Sequence, residues 1–339
     1  MTRNVGWFRW ASVLIVLTCL ACSDSNELQT IDEDAVFQPS DKVLLKPDLK
    51  VLDIGNSYTE DATAYLPYLV DKLGVDVDDV CLYKAILSGA SYKLWYEVYH
   101  DLNYNPYEVS KVFGNLEVNV TEGTGAAYDG SLFRKLLKEE SWDVVIIHQL
   151  GRYATNYEEW WSRSAGGYLK ELLAIINDYQ PDCTIGFLLV HSPMADYPTN
   201  EEHSSVARWE HIANATQLFV QNSRINILIP YGTAIQNLRT TALNNDLDLT
   251  RDGAHLGLGL ARYTASCCYY EALLAHRTGV SVLGRYIPYD IEDKPEKSQY
   301  SVTAENIETA QKAAVLACRN PYICSDPNAF DIDSISVDL

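Results

Sequence analysis

Three side chains in this 339-residue chain have the types and contexts that nucleophilic catalysis requires: Ser57, Asp252 and His255. Ser57 stands in Gly55-Asn56-Ser57-Tyr58-Thr59, directly after the apolar run Val51-Leu52-Asp53-Ile54 and before a helix-like stretch. A small-residue turn from strand to helix exposes a hydroxyl, and the free N–H groups at the helix start bind negative charge. Asp252-Gly253-Ala254-His255 precedes an apolar-periodic stretch from Leu256 to Leu274. A tight loop of that kind offers an imidazole to take a hydroxyl proton and a carboxylate to hold its other N–H. Read singly, the serine turn is a helix cap and Asp252 caps the next helix. Their joint presence is what points to acyl-transfer chemistry.

Two segments between them supply oxyanion donors. In Ala85-Ile86-Leu87-Ser88-Gly89-Ala90-Ser91 a hydrophobic strand runs into Ser-Gly, and the Gly89 N–H can approach a bound acyl oxygen. Trp142-Asp143-Val144-Val145-Ile146-Ile147-His148-Gln149 has a buried-strand pattern ending in two polar side chains. Either His148 or Gln149 provides the side-chain donor, beside the Ser57 N–H and the Gly89 N–H.

The order Gly55-Asn56-Ser57, Ser88-Gly89, His148-Gln149 and Asp252-x-x-His255 resembles the SGNH (GDSL-like) hydrolase superfamily. Within it, the Gly-Asn-Ser-Tyr-Thr-Glu-Asp-Ala opening and the Asp-Gly-Ala-His-Leu block resemble the DUF4886 group of Bacteroidetes proteins, over about residues 48 to 285. The resemblance implies Ser57 as nucleophile, His255 as base and Asp252 as its orienting acid. Two positions depart from the broad superfamily. Asn56 replaces its usual Asp, as in the narrower group, and the third donor position reads His148-Gln149 in place of Asn.

Elements must bring these groups together. Candidate strands at about 49–55, 80–87, 143–149, 183–190 and 225–230, separated by longer stretches, predict parallel pairing. Residues 164 to 179 and 203 to 222 carry apolar side chains at helical spacing. Pro67 predicts a fresh helical start and Gly74 a stop. Residues 95 to 130, rich in Tyr, Asn and Gly, read as an insertion. The expected architecture is a three-layer doubly wound α/β sandwich with a mostly parallel five-stranded sheet, SGNH- or flavodoxin-like. Ligands in such sheets sit beyond the carboxyl ends of the strands, where Ser57, Gly89 and His148/Gln149 would converge.

The N-terminus has a targeting layout, with Arg3 and Arg9, an apolar core from Ala11 to Ala21, then Cys22. That core is shorter than the roughly 20 apolar residues that span a bilayer. Residues 1–21 read as a lipoprotein-type signal peptide, with Cys22 lipidated, and 22–47 as an acidic flexible tether. A hydrolase domain at 48–285 and a C-terminal helix and tail at 286–339 complete the division. The expected location is the cell envelope, anchored by lipid to the outer membrane on its periplasmic or surface face. Loss of Arg3 and Arg9 with the signal moves the formal charge from −20 to −22. A field of that sign repels phosphate backbones and excludes nucleic acid as partner.

No cysteine spacing resembles a zinc site, and neither metal nor cofactor is expected. Cys318 and Cys324 are placed to close a small disulfide loop around Asn320-Pro321. Cys81, Cys183 and one of Cys267 and Cys268 read as buried thiols, because adjacent helical residues face different ways. Substrate contacts are expected from Asn56, Trp95, Trp160 and Trp161, the tryptophans stacking on sugar rings. The chemistry expected is serine ester hydrolysis through an acyl-enzyme, removing O-acyl (acetyl) groups from carbohydrate. Two other expectations compete: a catalytically silent glycan-binding lipoprotein, and a lipase or thioesterase.

Overall fold

The computed structural model describes residues 41–101, 106–120, 123–124, 132–161, 167–223, 225, 227–289 and 301–330. The expected signal peptide, Cys22 and residues 22–40 of the expected tether lie outside the described residues, whereas its last stretch, 41–47, is described and opens with a short helix at Asp41–Leu44 whose Leu44 is buried. Among the described residues no helix is long and apolar enough to cross a membrane.

The strands are β1 (Leu49–Gly55), β2 (Val80–Ile86), β3 (Glu108–Phe113), β4 (Gly123–Thr124), β5 (Val144–Ile147), β6 (Thr184–Leu188) and β7 (Ile227–Ile229). They form one sheet in the order β4-β3-β2-β1-β5-β6-β7. β2, β1, β5, β6 and β7 run parallel, whereas β3 and β4 pair antiparallel at one edge. The sheet is therefore seven-stranded rather than five-stranded. The segment read as an insertion contributes two of its strands. β3, with Glu108, Ser110 and Lys111 between apolar residues, alternates buried and exposed positions and lacks the continuous apolar run of a central strand.

The helices are α1 (Asp41–Leu44), α2 (Ser57–Thr63), α3 (Leu66–Leu73), α4 (Tyr92–His100), α5 (Leu132–Lys138) and α6 (Tyr157–Trp161). After them come α7 (Leu169–Tyr179), α8 (Ser205–Asn222), α9 (Tyr231–Arg239), α10 (Leu260–Tyr270), α11 (His276–Thr278) and α12 (Ile307–Arg319). Pro67 lies in the first turn of α3, and Gly74 ends it in the left-handed conformation at φ 62°. α10 packs against α2, α9 and α12, and α4, α5 and α7 contact one another.

The parallel strands follow the flavodoxin-like order, with the chain leaving β1 to one side for β2 and returning to its other side for β5. The reversal puts a crevice beyond the carboxyl end of β1, where Ser57 begins α2. Because β1 is central, its side chains are buried on both faces, including Asp53, which accepts hydrogen bonds from Thr59 Oγ1 (3.1 Å) and Tyr269 OH (2.9 Å). Burial, against those two bonds, raises the Asp53 pKa to about 7.

The cysteines depart from expectation. Cys267 and Cys268 are both fully buried, because α10 is enclosed by α2, α3, α9 and α12 and has no solvent face there. Cys318 Sγ lies 3.7 Å from Cys268 Sγ, and Cys324 Sγ points to the Gln236 carbonyl instead of to Cys318. All six described cysteines are free thiols.

Candidate active site

Ser57 is the first residue of α2, and Asn56 is its cap. The Asn56 Oδ1 accepts the Tyr58 N–H at 2.9 Å, its Nδ2 donates to the Ala90 carbonyl at 3.0 Å, and its N–H donates to His148 Nε2 at 3.4 Å. One buried residue thus ties together the turns that follow β1, β2 and β5. Asn56 was expected to touch substrate. Its side chain is enclosed and both ends are engaged by protein, because the cap has to satisfy a helix N-terminus in the interior.

The backbone N–H groups of Ser57 and Gly89 have no partner among the described residues. Gly89 takes φ +64°, a conformation that favours glycine, and nothing lies within 4 Å of where a Cβ would be. Gln149 Oε1 accepts the Leu150 N–H at 2.8 Å, which leaves the Nε2 end without a partner among the described residues. His148 is engaged at both nitrogens, since its Nδ1–H donates to the Gln149 carbonyl at 3.0 Å while Nε2 accepts from Asn56. Burial lowers its pKa to about 4 and keeps the ring neutral. Of the two alternatives at this strand end, His148 is thereby tied into the fold and Gln149 keeps a donor.

The loop before α10 brings the distant residues in. Ser57 Oγ lies 2.9 Å from His255 Nε2, and His255 Nδ1 lies 2.7 Å from Asp252 Oδ2. Since a carboxylate only accepts, Nδ1 carries the proton and Nε2 presents its lone pair to the serine. Asp252 Oδ1 also accepts the N–H groups of Ala254 (3.0 Å) and His255 (2.7 Å). Partial burial raises the Asp252 pKa, but these bonds and the imidazole outweigh it and hold the carboxyl below its usual range. The Asp252 side chain is 49% exposed and that of His255 32%, so this half of the site opens to solvent.

Three further residues brace the loop. His191, just beyond the carboxyl end of β6, donates Nε2–H to the Ala254 carbonyl at 2.7 Å and lies against the Tyr58 ring, centroids 4.6 Å apart. Burial first, then the Arg239 charge, lowers its pKa to about 3. Tyr58 itself meets the His255 ring edge-on at 6.1 Å and 88°. Asp61, fully buried on α2, accepts from Leu256 N–H and from Arg251 and Arg262. Sequence reasoning missed His191 and Asp61. The signals available were an apolar strand ending in Val190-His191-Ser192 and an acid one helical turn after Ser57.

The tryptophans expected to contact substrate divide. Trp95 packs in the core on Tyr107 and Phe133, and Trp160 is fully buried against Phe187, because both lie on the inward faces of their helices. Trp161 is exposed and keeps an accessible ring near Tyr157. No group of three or more metal-ligating side chains occurs among the described residues.

The family model for the domain of unknown function DUF4886 matches residues 50–298, a span that holds every residue of this site. The chain belongs to the DUF4886 family. It is similar to a crystal structure of a DUF4886 family protein from Bacteroides uniformis, at 24% identity and a TM-score of 0.63, over 84% of this chain and 99% of that one. Slighter similarities reach a putative GDSL-like lipase from Parabacteroides merdae (15% identity, TM-score 0.44, 68% of this chain and 98% of that one). An extracellular lipase from Streptomyces rimosus aligns at 11% identity and a TM-score of 0.32, over 81% and 100% of the two chains. The last two are too slight to bear on chemistry. No curated protein matches in sequence.

Proposed function

We propose that this DUF4886 protein is a serine ester hydrolase that works through an acyl-enzyme. The observation that carries the reading is the continuous hydrogen-bonded chain from Ser57 Oγ through His255 to Asp252. His255 Nε2 takes the Ser57 proton as Oγ attacks the ester carbonyl, and Asp252 stabilises the imidazolium. The tetrahedral oxyanion is met by the N–H groups of Ser57 and Gly89 and by Gln149 Nε2, each such donor contributing roughly 3 to 4 kcal/mol to the transition state. Collapse expels the alcohol, which takes the proton from His255. Water then repeats the sequence on the acyl-enzyme and frees the acid.

The proposed substrate is an O-acyl, chiefly acetyl, ester on carbohydrate. The open acid-base side of the site supports a bulky, solvated acyl acceptor. The proposal includes export, lipid anchoring through Cys22 in the cell envelope, a domain at 48–285 and a three-layer arrangement of helices about the sheet.

A fluorophosphonate probe tests the chemistry. Stoichiometric labelling of wild type, absent from Ser57→Ala, is expected. An unlabelled wild type leaves a silent glycan-binding protein instead. Rates on nitrophenyl esters of increasing chain length test the acyl class: acetate is expected to be fastest, and a preference for long chains would replace the acetylesterase with a lipase or thioesterase.

A further inference from the structure

The geometry points to Asp61 as the positioning residue of the catalytic pair: its one carboxylate fixes the loop of Asp252 and His255 against the helix that presents Ser57. The inference rests on the serine-hydrolase reading above and adds to it a residue that touches neither substrate nor reacting atoms.

Asp61 lies four residues after Ser57 on α2, one helical turn away, with its side chain fully buried. Oδ2 accepts the N–H of Leu256, the residue after His255, at 2.8 Å. Oδ1 accepts from Arg251, the residue before Asp252, at 2.9 Å, and from Arg262 Nε at 2.8 Å in the first turn of α10. Arg251 Nη1 also donates to the Leu256 carbonyl at 2.6 Å, and an antiparallel bridge joins Thr250 to Leu256. The carboxylate therefore grips both ends of the four-residue segment that carries the acid and the base.

A buried carboxylate needs ionic and hydrogen-bonding partners wherever it sits. A purely structural staple has no reason to draw two of its three partners from the positions flanking Asp252 and His255. The opposite side of the loop is held by His191 on Ala254 and by the Met194 N–H on the Gly253 carbonyl at 2.8 Å. Those ties fix the loop to the β6 side. Beside the Ser57–His255 bond itself, Asp61 ties the loop to α2 from the buried side, and so sets the 2.9 Å separation of Ser57 Oγ and His255 Nε2. Misplacement of a reacting pair by about 1 Å costs on the order of 100-fold in rate.

The test compares wild type, Asp61→Asn, Arg251→Lys, His255→Ala and the Asp61→Asn/His255→Ala double variant in fluorophosphonate labelling, thermal melting, and kcat and KM for nitrophenyl acetate. Folded Asp61→Asn is expected to lose about 100-fold in kcat with KM within about 2-fold, and Arg251→Lys about 10-fold in kcat. In the His255→Ala background Asp61→Asn is expected to cost nothing further, because no imidazole is left to misplace. An unchanged kcat in folded Asp61→Asn, or a full additive loss in the double variant, overturns the inference while leaving the hydrolase reading intact. If Asp61→Asn does not fold, Arg251→Lys decides: a kcat equal to wild type overturns it. A wild type that the probe does not label overturns both readings.

Discussion

The turn that presents Ser57 and the loop that presents His255 meet across one hydrogen bond, yet they are secured in different ways. The turn is enclosed, and Asn56 reaches three strand ends within it. The loop is half open to water at Asp252 and His255 and is held by buried groups beneath it: Asp61, His191 and, through the Asp248 carbonyl, Arg239. Close packing and the bonds of one buried asparagine hold Ser57, whereas a few buried polar side chains hold His255 from beneath an open loop. Substitutions that leave Ser57 in place should therefore cost mainly stability at the turn and mainly catalysis at the loop.

The largest effect belongs to the loop. His255→Ala should lower kcat by about six orders of magnitude, as loss of the base does in a serine hydrolase. Asp252→Asn should lower it by about 10⁴-fold, since the amide stabilises the wrong tautomer. Oδ1 of the asparagine still accepts the N–H groups of Ala254 and His255, and the position is half exposed, so melting temperature should hardly move. Steady-state kinetics beside calorimetry checks both halves. A large drop in melting temperature for Asp252→Asn would break the contrast, because it would make the exposed loop as structural as the turn.

The turn should respond the other way. A Cβ on Gly55 would collide with Thr59 Oγ1 and stand 2.6 Å from His148 Nε2. Overpacking of that kind costs about 1 to 3 kcal/mol. Gly55→Ala should therefore lower the urea midpoint by that equivalent, and activity should fall through displacement of the β1–α2 junction. Full stability in Gly55→Ala would mean that the turn is looser than its contacts imply.

What the sequence could announce follows the same division. Apolar runs marked the five parallel strands, and Gly-Asn-Ser after the first of them located Ser57, because a strand and a cap are written in neighbouring residues. Asp252 and His255 were legible as a hydrogen-bonded pair since they are three residues apart. Their bracing was not. Asp61 stands in the Gly-Asn-Ser-Tyr-Thr-Glu-Asp-Ala block, but its partner Arg251 is 190 positions away and nothing local pairs the two. The same limit misplaced Trp95 and Trp160, where an aromatic in a helix says nothing about which face turns inward. β3 was hidden for a related reason, as an antiparallel strand next to the sheet edge alternates buried and exposed positions, needs no continuous apolar run and reads like a polar insertion.

The smallest effect distinguishes titratable groups that the site does not use. His148 and His191 stay neutral in the fold, with pKa values of about 4 and about 3 against an ordinary 6.5. Their contribution to stability is complete above pH 6.5 and is lost as pH falls toward those values. Asp53 has the opposite sign. Its pKa, raised from 3.8 to about 7, gives a contribution present below 3.8 and lost as pH rises through 7, with only Lys84 as a favourable charge. Between about pH 4 and 6.5 the two effects therefore oppose each other, the histidines costing stability as pH falls and Asp53 as pH rises, and above about pH 7 none of the three gives a slope. Asp53→Asn should remove the opposing slope, by up to about 1.4 kcal/mol per pH unit, so the variant should lose stability more steeply than wild type as pH falls from about 6.5 to about 4.5. Urea midpoints from about pH 4.5 to 8 measure this. If wild type and Asp53→Asn keep the same slope below about pH 6.5, the buried acid beneath the serine turn does not hold its proton there, and the enclosed half of the site is less dry than its contacts indicate.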